Sequence, residues 1–295
     1  MTRVRADDTG THPPTLDRRA AARYVLSRRT PEGGFCFYRT PQWGVEEPNT
    51  LDTLAAVASL QLLRVEPPQP AMTGQWLQGV QDDGGGYPSL TIGWAALRAL
   101  ELLGLSPCRS PRVWLTGWAQ RLLGGRRRTP RDWRAALDGV LRLTELMELD
   151  TAQCDGVADL LAAAADPQGG WARPAADIET TAVAVQLARR AGSSTTPDRD
   201  RAVEFLRSCE DASVGVRLRP DTQATMVGAL WGGLKVASLL GVVPRYPAAS
   251  GGSLALLQRP NGGLGARHQA VATLRDTWRG LRAARLLDEL EEQPS

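Results

Sequence analysis

Carboxylates followed by threonine stand near the starts of several apolar segments. Asp52, Glu179 and Asp276 are each followed directly by threonine, and Asp177 stands two residues before Glu179; Asp221-Thr222 repeats the dipeptide. A carboxylate at a helix start can cap free N–H groups or complement the helix dipole. A buried carboxylate can instead act as an acid or a base. The pattern alone leaves both roles open.

Tryptophans recur close to these acids. Trp94, Trp231 and Trp278 lie near the starts of three apolar segments, and Trp133 falls one residue out of the same frame in a fourth. Aromatic faces in a cavity would stabilise a cationic ligand or intermediate. The alternative is that these rings are core residues packed between helices.

A basic cluster lies in the middle of the chain. Its central members are Arg126, Arg127 and Arg128, flanked by Arg121, Arg131 and Arg134. Guanidinium groups bind anions such as diphosphate. A solvated loop after an outer helix explains the same cluster without a ligand, because charged side chains are normally exposed.

No set of metal ligands can be assembled from the sequence. The chain has two histidines, His12 and His268, and its four cysteines are scattered without a CxxC pair. A zinc site needs three or four well-placed ligands. The sequence therefore predicts reduced thiols, no metal and no cofactor.

Composition restricts the remaining classes of function. The 295 residues carry a net charge of only +3, so the basic balance does not indicate nucleic-acid binding. No window approaches the ~18 apolar residues of a membrane span. The polar segment 1–14 lacks the apolar stretch of a signal peptide, which favours a disordered tail and a cytoplasmic location.

The elements that position these residues follow from a repeat. Glycine pairs recur at Gly33-Gly34, Gly85-Gly86, Gly169-Gly170 and Gly262-Gly263, separated by 52, 84 and 93 residues. If the two longer gaps each skip one degenerate unit, the period is roughly 42–52 residues, as in arrays of helical hairpins.

The segments that follow the turns align with one another. Residues 94–104, 231–241 and 278–288 share an initial tryptophan, small residues after it and a Leu-Leu near the end. The small residues indicate close helix packing. Extending this frame predicts six second helices, at about 50–64, 91–104, 131–148, 177–191, 221–241 and 274–289. Six first helices precede them, at about 15–29, 70–81, 111–123, 151–165, 198–209 and 251–258.

Six two-helix units fill the chain without strand-like alternation. The second helices are the more apolar set and should form an inner ring. The predicted architecture is all-α, an (α/α)6 toroid of six helical hairpins with inner and outer rings. We expect a tail at 1–14, one toroid domain at 15–289 and a tail at 290–295.

The glutamine–glycine–aromatic turns resemble the QW-type motifs of the prenyltransferase and squalene-cyclase repeat superfamily. They are Gln81 with Gly85-Gly86-Tyr87, Gln168 with Gly169-Gly170-Trp171, and Gln258 with Gly262-Gly263. The resemblance covers residues 15–289 and is closest to the β domain of class II terpene cyclases. In that superfamily these turns tie outer helices together.

The resemblance implies a chemistry for the acids. Class II cyclases carry a DxDD-Thr-Ala motif at the start of an inner helix, and its central Asp protonates an alkene. Residues 177–182 resemble this motif, with Glu179 at the central position and Thr180 in place of the last Asp. The segment before Asp52 keeps only the last Asp. Asp177, Glu179 and Asp52 are thus the implied catalytic residues.

The implied function is a metal-independent terpenoid cyclase of isomerase or lyase type in isoprenoid biosynthesis, acting by protonation-initiated cyclisation. The implied substrate-binding residues are Trp94, Trp231, Trp278, Asp276, Trp133 and Thr181. With three Phe and four Tyr, the chain suits a C10 to C20 isoprenoid better than a triterpene. The acids should face the central cavity, with Glu179 buried in a pocket of about several hundred Å³.

Three alternatives stay open. The first is a non-catalytic toroid that binds an isoprenoid or a partner protein. The second is a protein prenyltransferase β-like subunit, disfavoured because Gln223 stands after Asp221-Thr222 where a zinc-binding cysteine is wanted; lanthionine cyclases are disfavoured for the same lack of zinc ligands. The third is a glycosidase or lyase on an (α/α)6 barrel, which needs paired carboxylates in a polar cleft.

Overall fold

A computed structural model describes residues 15–40, 45–124, 132–167, 169–172, 175–192 and 199–292. Within these ranges, the chain forms twelve helices that alternate between an outer and an inner ring. The outer helices are α1 (Arg18–Leu26), α3 (Pro70–Gln78), α5 (Arg112–Leu123), α7 (Thr151–Ala164), α9 (Arg199–Cys209) and α11 (Pro247–Leu257). The inner helices are α2 (Thr50–Leu62), α4 (Leu90–Leu102), α6 (Trp133–Thr144), α8 (Ile178–Arg190), α10 (Val227–Leu240) and α12 (Leu274–Glu291).

The inner helices form a closed ring. Each packs on the next in the order α2, α4, α6, α8, α10 and α12, and α12 packs back on α2. Each outer helix packs on the inner helix that follows it in the chain. The prediction of an all-α toroid is confirmed. In the described part of the chain, no helix is both long and apolar enough to cross a membrane.

Among the residues described, three short antiparallel hairpins connect outer to inner helices. They are β1 (Arg39–Thr40) with β2 (Val45–Glu46), β3 (Glu210–Asp211) with β4 (Gly215–Val216), and β5 (Leu264–Gly265) with β6 (Ala272–Thr273). The β3–β4 hairpin is followed by a loop up to residue 226, so α10 begins six residues later than predicted. Helix α12 ends two residues beyond the predicted boundary at 289.

Glutamines hold successive outer helices together. The Gln81 amide donates to the carbonyls of Gly85 (3.0 Å) and Arg109 (2.9 Å), and its oxygen accepts from Arg109 N at 2.9 Å. Arg109 lies just before α5. One side chain therefore fixes its own turn and the approach to the next outer helix.

The same three bonds close the ring. The Gln258 amide donates to the carbonyls of Gly262 and Asp17, both at 2.8 Å, and its oxygen accepts from Asp17 N at 2.8 Å. Asp17 is the N-cap of α1, so the sixth unit binds the first as the second binds the third. The proposed structural role of the QW-type turns is visible at both glutamines.

Glycine is required where these turns touch the neighbouring unit. Gly85 has φ +82°, and a Cβ on it would lie 2.5 Å from the Ser110 carbonyl oxygen. Gly262 has φ +91°, and a Cβ there would overlap the Ala20 carbonyl of α1. A larger residue would push the outer helices apart.

Threonines set the frame of three inner helices. In each, the hydroxyl accepts a hydrogen bond from the backbone N–H of the residue after a glycine pair, at 2.9 to 3.1 Å. The pairs are Phe35 with Thr53, Trp171 with Thr181, and Leu264 with Thr277. The structure therefore aligns Thr53, Thr181 and Thr277.

The acid–threonine dipeptides suggest that Asp52, Glu179 and Asp276 occupy equivalent positions, and the alignment of the threonines corrects this. Asp52 and Asp276 directly precede the aligned threonines, whereas Glu179 stands two residues before Thr181. The structural counterpart of Asp52 and Asp276 is thus Thr180. Glu179 belongs one position earlier, in the second residue of its helix.

Candidate functional site

A cavity of about 160 Å³ opens at the centre of the inner ring. Every inner helix contributes to its wall. The wall is formed by Leu51, Leu54, Ala55, Trp94, Arg134, Asp138, Leu141, Arg142, Glu145, Glu179, Val183, Gln186, Trp231, Arg275, Trp278, Arg279 and Arg282. This volume is smaller than the several hundred Å³ expected from the sequence, and five of the side chains in the wall are arginines.

The three aligned tryptophans line this cavity. Trp94, Trp231 and Trp278 are each the fifth residue of their helix, and Leu54 takes the same position in α2. Trp133 is the first residue of α6 and packs in the core beside the cavity wall. It is not among the residues that line the cavity, so its expected role in substrate binding has no contact to support it; the α6 residues in the wall are Arg134, Asp138, Leu141 and Arg142.

Glu179 is buried in the cavity wall and held by two arginines. Its side chain is 5% exposed. Its Oε2 accepts a hydrogen bond from Arg134 of α6 and lies 3.6 Å from Arg279 of α12. Gly228 of α10 leaves the space that the carboxylate fills, since a Cβ there would overlap its oxygens. The carboxylate thus links three helices across one end of the cavity.

The two partners of Glu179 respond differently to its charge. Burial acts to lower the pKa of Arg134, but the carboxylates of Glu179, Asp177 and Asp138 together outweigh burial and raise it. Burial dominates at Arg279 and lowers its pKa despite the Glu179 carboxylate. The Arg279 side chain is only 18% exposed, against 37% for Arg134, and the charges of Arg275 and Arg134 lower its pKa further.

The other predicted acids do not line the cavity. Asp177 caps α8, accepting bonds from Thr180 N (2.8 Å) and Thr180 Oγ1 (2.7 Å). Asp52 accepts from Phe37 N at 2.9 Å and from Asn49. The sequence predicts that Asp177 and Asp52 face the cavity together with Glu179, and this is wrong. Successive residues of a helix point about 100° apart, so acids at different positions face different directions.

Asp276 and Thr181 also lie outside the cavity wall. The Asp276 carboxylate accepts a hydrogen bond from Thr273 Oγ1 at 2.8 Å, so it supports the cap of α12. Thr181 donates to the Asp177 carbonyl at 2.8 Å while accepting from Trp171 N. Both residues position helix starts, and neither is placed to touch a ligand in the cavity.

A second polar group lies on the α4–α6 side. The Trp94 indole donates to Glu145 Oε2 at 2.7 Å. Arg142 stacks 5.2 Å from the Trp94 ring centroid, binds Thr91 and pairs with Asp138 at 3.6 Å. Every charge in this group has a partner.

Helix α12 contributes a row of arginines. Arg275, Arg279 and Arg282 follow one another at i, i+4 and i+7, so they share one face of the helix. The Arg282 guanidinium lies 5.0 Å from the ring centroids of both Trp231 and Trp278. Burial lowers the pKa of Arg282 to about 10, which leaves it charged at neutral pH.

Sequence reasoning missed these cavity arginines. The signal is their helical spacing on both sides of the aligned Trp278, but a row of charged side chains on a helix ordinarily faces solvent. Arg126, Arg127 and Arg128 lie outside the described residues, as does Gln168.

Asp221, the position at which the prenyltransferase alternative would need a zinc ligand, is on the surface. Asp221 pairs with Arg219 at 3.0 Å, and its side chain is 72% exposed. Among the residues whose placement is described, no three His, Cys, Asp or Glu side chains are grouped as metal ligands would be.

Solved structures resemble this fold. No protein-family model and no curated protein matches the sequence. A protein from Actinoplanes matches with a TM-score of 0.55 and 19% identity, over 92% of this chain and 98% of that one. The type II terpene cyclase MstE from Scytonema matches with a TM-score of 0.61 and 16% identity, over 93% and 97%. The shared feature is the fold.

A substrate complex of that cyclase also matches. A variant of MstE bound to geranylgeranyl dihydroxybenzoate, its substrate, has a TM-score of 0.59 and 15% identity, over 93% of this chain and 96% of that one. The chain therefore has a terpene-cyclase-like toroid fold along almost its whole length. At this identity the likeness concerns architecture and does not extend to individual residues.

Proposed function

We propose that this chain holds a short isoprenoid in the central cavity, and that Glu179 acts there as a carboxylate and not as a proton donor. The role proposed for Glu179 rests on its ion pairs with Arg134 and Arg279. Protonation of an alkene needs a carboxylic acid. Both guanidinium groups are hydrogen-bond donors, so the side chain between them is placed to accept hydrogen bonds and not to donate one.

The cavity wall offers apolar surfaces for a ligand, with charged side chains beside them. Leu51, Leu54 and Ala55 of α2 give one apolar side, and the indoles give flat surfaces opposite. A dry cavity of roughly 150 Å³ accommodates benzene. A volume of about 160 Å³ therefore suits one five-carbon prenyl unit better than the C10 to C20 chain expected from the sequence.

Filling the cavity tests this proposal. Leu54→Trp places in α2 the residue that α4, α10 and α12 already carry at the same position. Titration of dimethylallyl alcohol, followed by calorimetry, should show binding to the wild type and none to the variant. Leu256→Trp is the control, because Leu256 is 60% exposed on α11. Equal binding by both variants would show that the ligand does not bind in the cavity.

Acid catalysis by Glu179 is the second candidate. Its support is the position of Glu179, which matches the central acid of the cyclase motif and lies buried in the cavity wall. Wild type, Glu179→Gln and the surface control Glu101→Gln should be incubated with geranyl, farnesyl and geranylgeranyl compounds. We expect no cyclised product from any of them. A product formed by wild type and Glu101→Gln but lost in Glu179→Gln would establish the cyclase.

A further inference from the structure

The cavity wall carries more positive than negative charge. Among the described residues, the wall carries five arginines and three carboxylates. Asp138 pairs with Arg142, Glu145 binds the Trp94 indole and lies 4.0 Å from Arg190, and Glu179 pairs with Arg134 and Arg279. The carboxylates are engaged, and positive charge is left over on α12.

The excess lies on Arg275 and Arg282. In the part of the chain that is described, neither has a hydrogen bond or an ion pair with a carboxylate. The Arg282 guanidinium lies over the faces of Trp231 and Trp278, and the charge of Glu145 acts on it from beyond ion-pair distance. Arg279 between them shares its carboxylate with Arg134. Arg275 is exposed, but Arg282 lies within the cavity, and burying a guanidinium without an anion is costly. This cost points to a missing anionic partner.

The geometry suits a multivalent anion. The first and last of the three arginines are seven positions apart on α12, about 10 Å along the helix, from exposed Arg275 at the rim to Arg282 within the cavity. Guanidinium groups bind phosphate oxygens in a bidentate manner. Trp231 adds a further donor in the same wall, since its buried indole N–H has no acceptor among the described residues.

We propose that Arg275, Arg279 and Arg282 form a subsite for the phosphate or diphosphate group of the cavity ligand. This proposal rests on the proposed isoprenoid function and assigns the polar end of that ligand. The prenyl unit then lies against Leu54 and the indoles, with its phosphate groups along α12. The site binds the ligand ester intact, so no bond is formed or broken.

Three probes separate the two ends of the ligand. Dimethylallyl diphosphate, dimethylallyl alcohol and inorganic diphosphate should each be titrated by calorimetry at fixed ionic strength. We expect the diphosphate ester to bind at least ten-fold more tightly than the alcohol. Raising the salt concentration should weaken binding of the ester and leave binding of the alcohol unchanged.

Variants on one helix localise the effect. Arg282→Gln should weaken binding of dimethylallyl diphosphate about ten-fold or more and change binding of the alcohol less than two-fold. Arg275→Gln should also weaken binding of dimethylallyl diphosphate. Because the Arg275 side chain is exposed, this substitution should leave the fold intact, and weaker binding could not be attributed to unfolding. Arg285→Gln is the matched control, because Arg285 pairs with Glu289 on the outer side of α12.

The outcomes distinguish the two proposals. If the alcohol binds wild type as tightly as the ester, or if Arg282→Gln, Arg275→Gln and Arg285→Gln behave alike, the anion subsite is overturned and the isoprenoid cavity stands. If inorganic diphosphate binds and neither prenyl compound binds more tightly, the subsite stands and the isoprenoid function fails. If no probe binds wild type, both proposals fail.

Discussion

Glu179 shows how strongly one residue's neighbours determine its chemistry. The sequence pattern predicts a proton donor at Glu179, whereas Arg134 and Arg279 give it the surroundings of a structural carboxylate. The same side chain also fills the space left by Gly228. Its charge and its volume therefore both contribute to the contact between α6, α8, α10 and α12.

Loss of this charge should destabilise the fold. Glu179→Gln leaves two guanidinium groups without their anion and should lower the free energy of unfolding by about 2 kcal/mol, less than for a fully buried pair because Arg134 is partly exposed. Glu101→Gln breaks the surface pair with Arg98 and should cost less than ~1 kcal/mol. Urea unfolding of both variants measures the difference; equal stability would mean that the buried pair contributes nothing.

Cysteine reactivity offers a test of burial at single residues. Desolvation by burial raises the pKa of Cys209 to about 12, so its thiol is neutral at pH 8. Iodoacetamide, which attacks the thiolate, should label exposed Cys108 and leave Cys209 unmodified in the folded protein. Mass spectrometry of tryptic peptides locates the label, and urea should abolish the difference. Fast labelling of Cys209 without urea would contradict the packing of α9.

At the scale of the element, the inner and outer helices could be predicted because each unit repeats its start and stop signals. The frame within α8 could not. Thr180 and Thr181 are adjacent, and only the hydrogen bond from Trp171 N shows that Thr181 matches Thr53 and Thr277. A shift of one residue turns a side chain by about 100°, which is why Glu179 lines the cavity and Asp52 does not.

The cavity arginines were unpredictable for a different reason. An amphipathic pattern separates apolar from polar faces, but it does not say which face of an inner helix looks into a hole. On α12, Arg275, Arg279 and Arg282 lie on the cavity face, and apolar residues such as Leu274 and Leu281 pack in the core. Only the closed ring identifies the polar face as internal.

The glycine turns should be sensitive to a single methyl group. Gly262→Ala combines a positive φ with a clash against Ala20 and should cost about 2 to 4 kcal/mol of unfolding free energy. Gly241→Ala has a similar φ but open space around it, and should cost only about 1 kcal/mol. Urea unfolding compares the two. Equal losses would show that backbone strain alone matters and that contact with α1 does not.

At the scale of the molecule, ring closure makes the last unit equivalent to an internal one. Gln258→Ala and Gln81→Ala each remove three hydrogen bonds and should lower the unfolding free energy by similar amounts, about 1 to 3 kcal/mol. Gln120→Ala, on the exposed face of α5, is the control and should have little effect. A loss at Gln81 without a loss at Gln258 would indicate that the ring opens in solution.

The contact between α1 and the last unit has a consequence for connectivity. Asp17 binds Gln258, and Arg18 of α1 pairs with Asp288 of α12. The start of the first helix and the end of the last are therefore already neighbours. A short linker could join them, and new termini could be opened in any exposed loop between two units, because the order of units around the circle would remain unchanged. In such a circular permutant the helices would be synthesised in a different order and would still pack into the same ring.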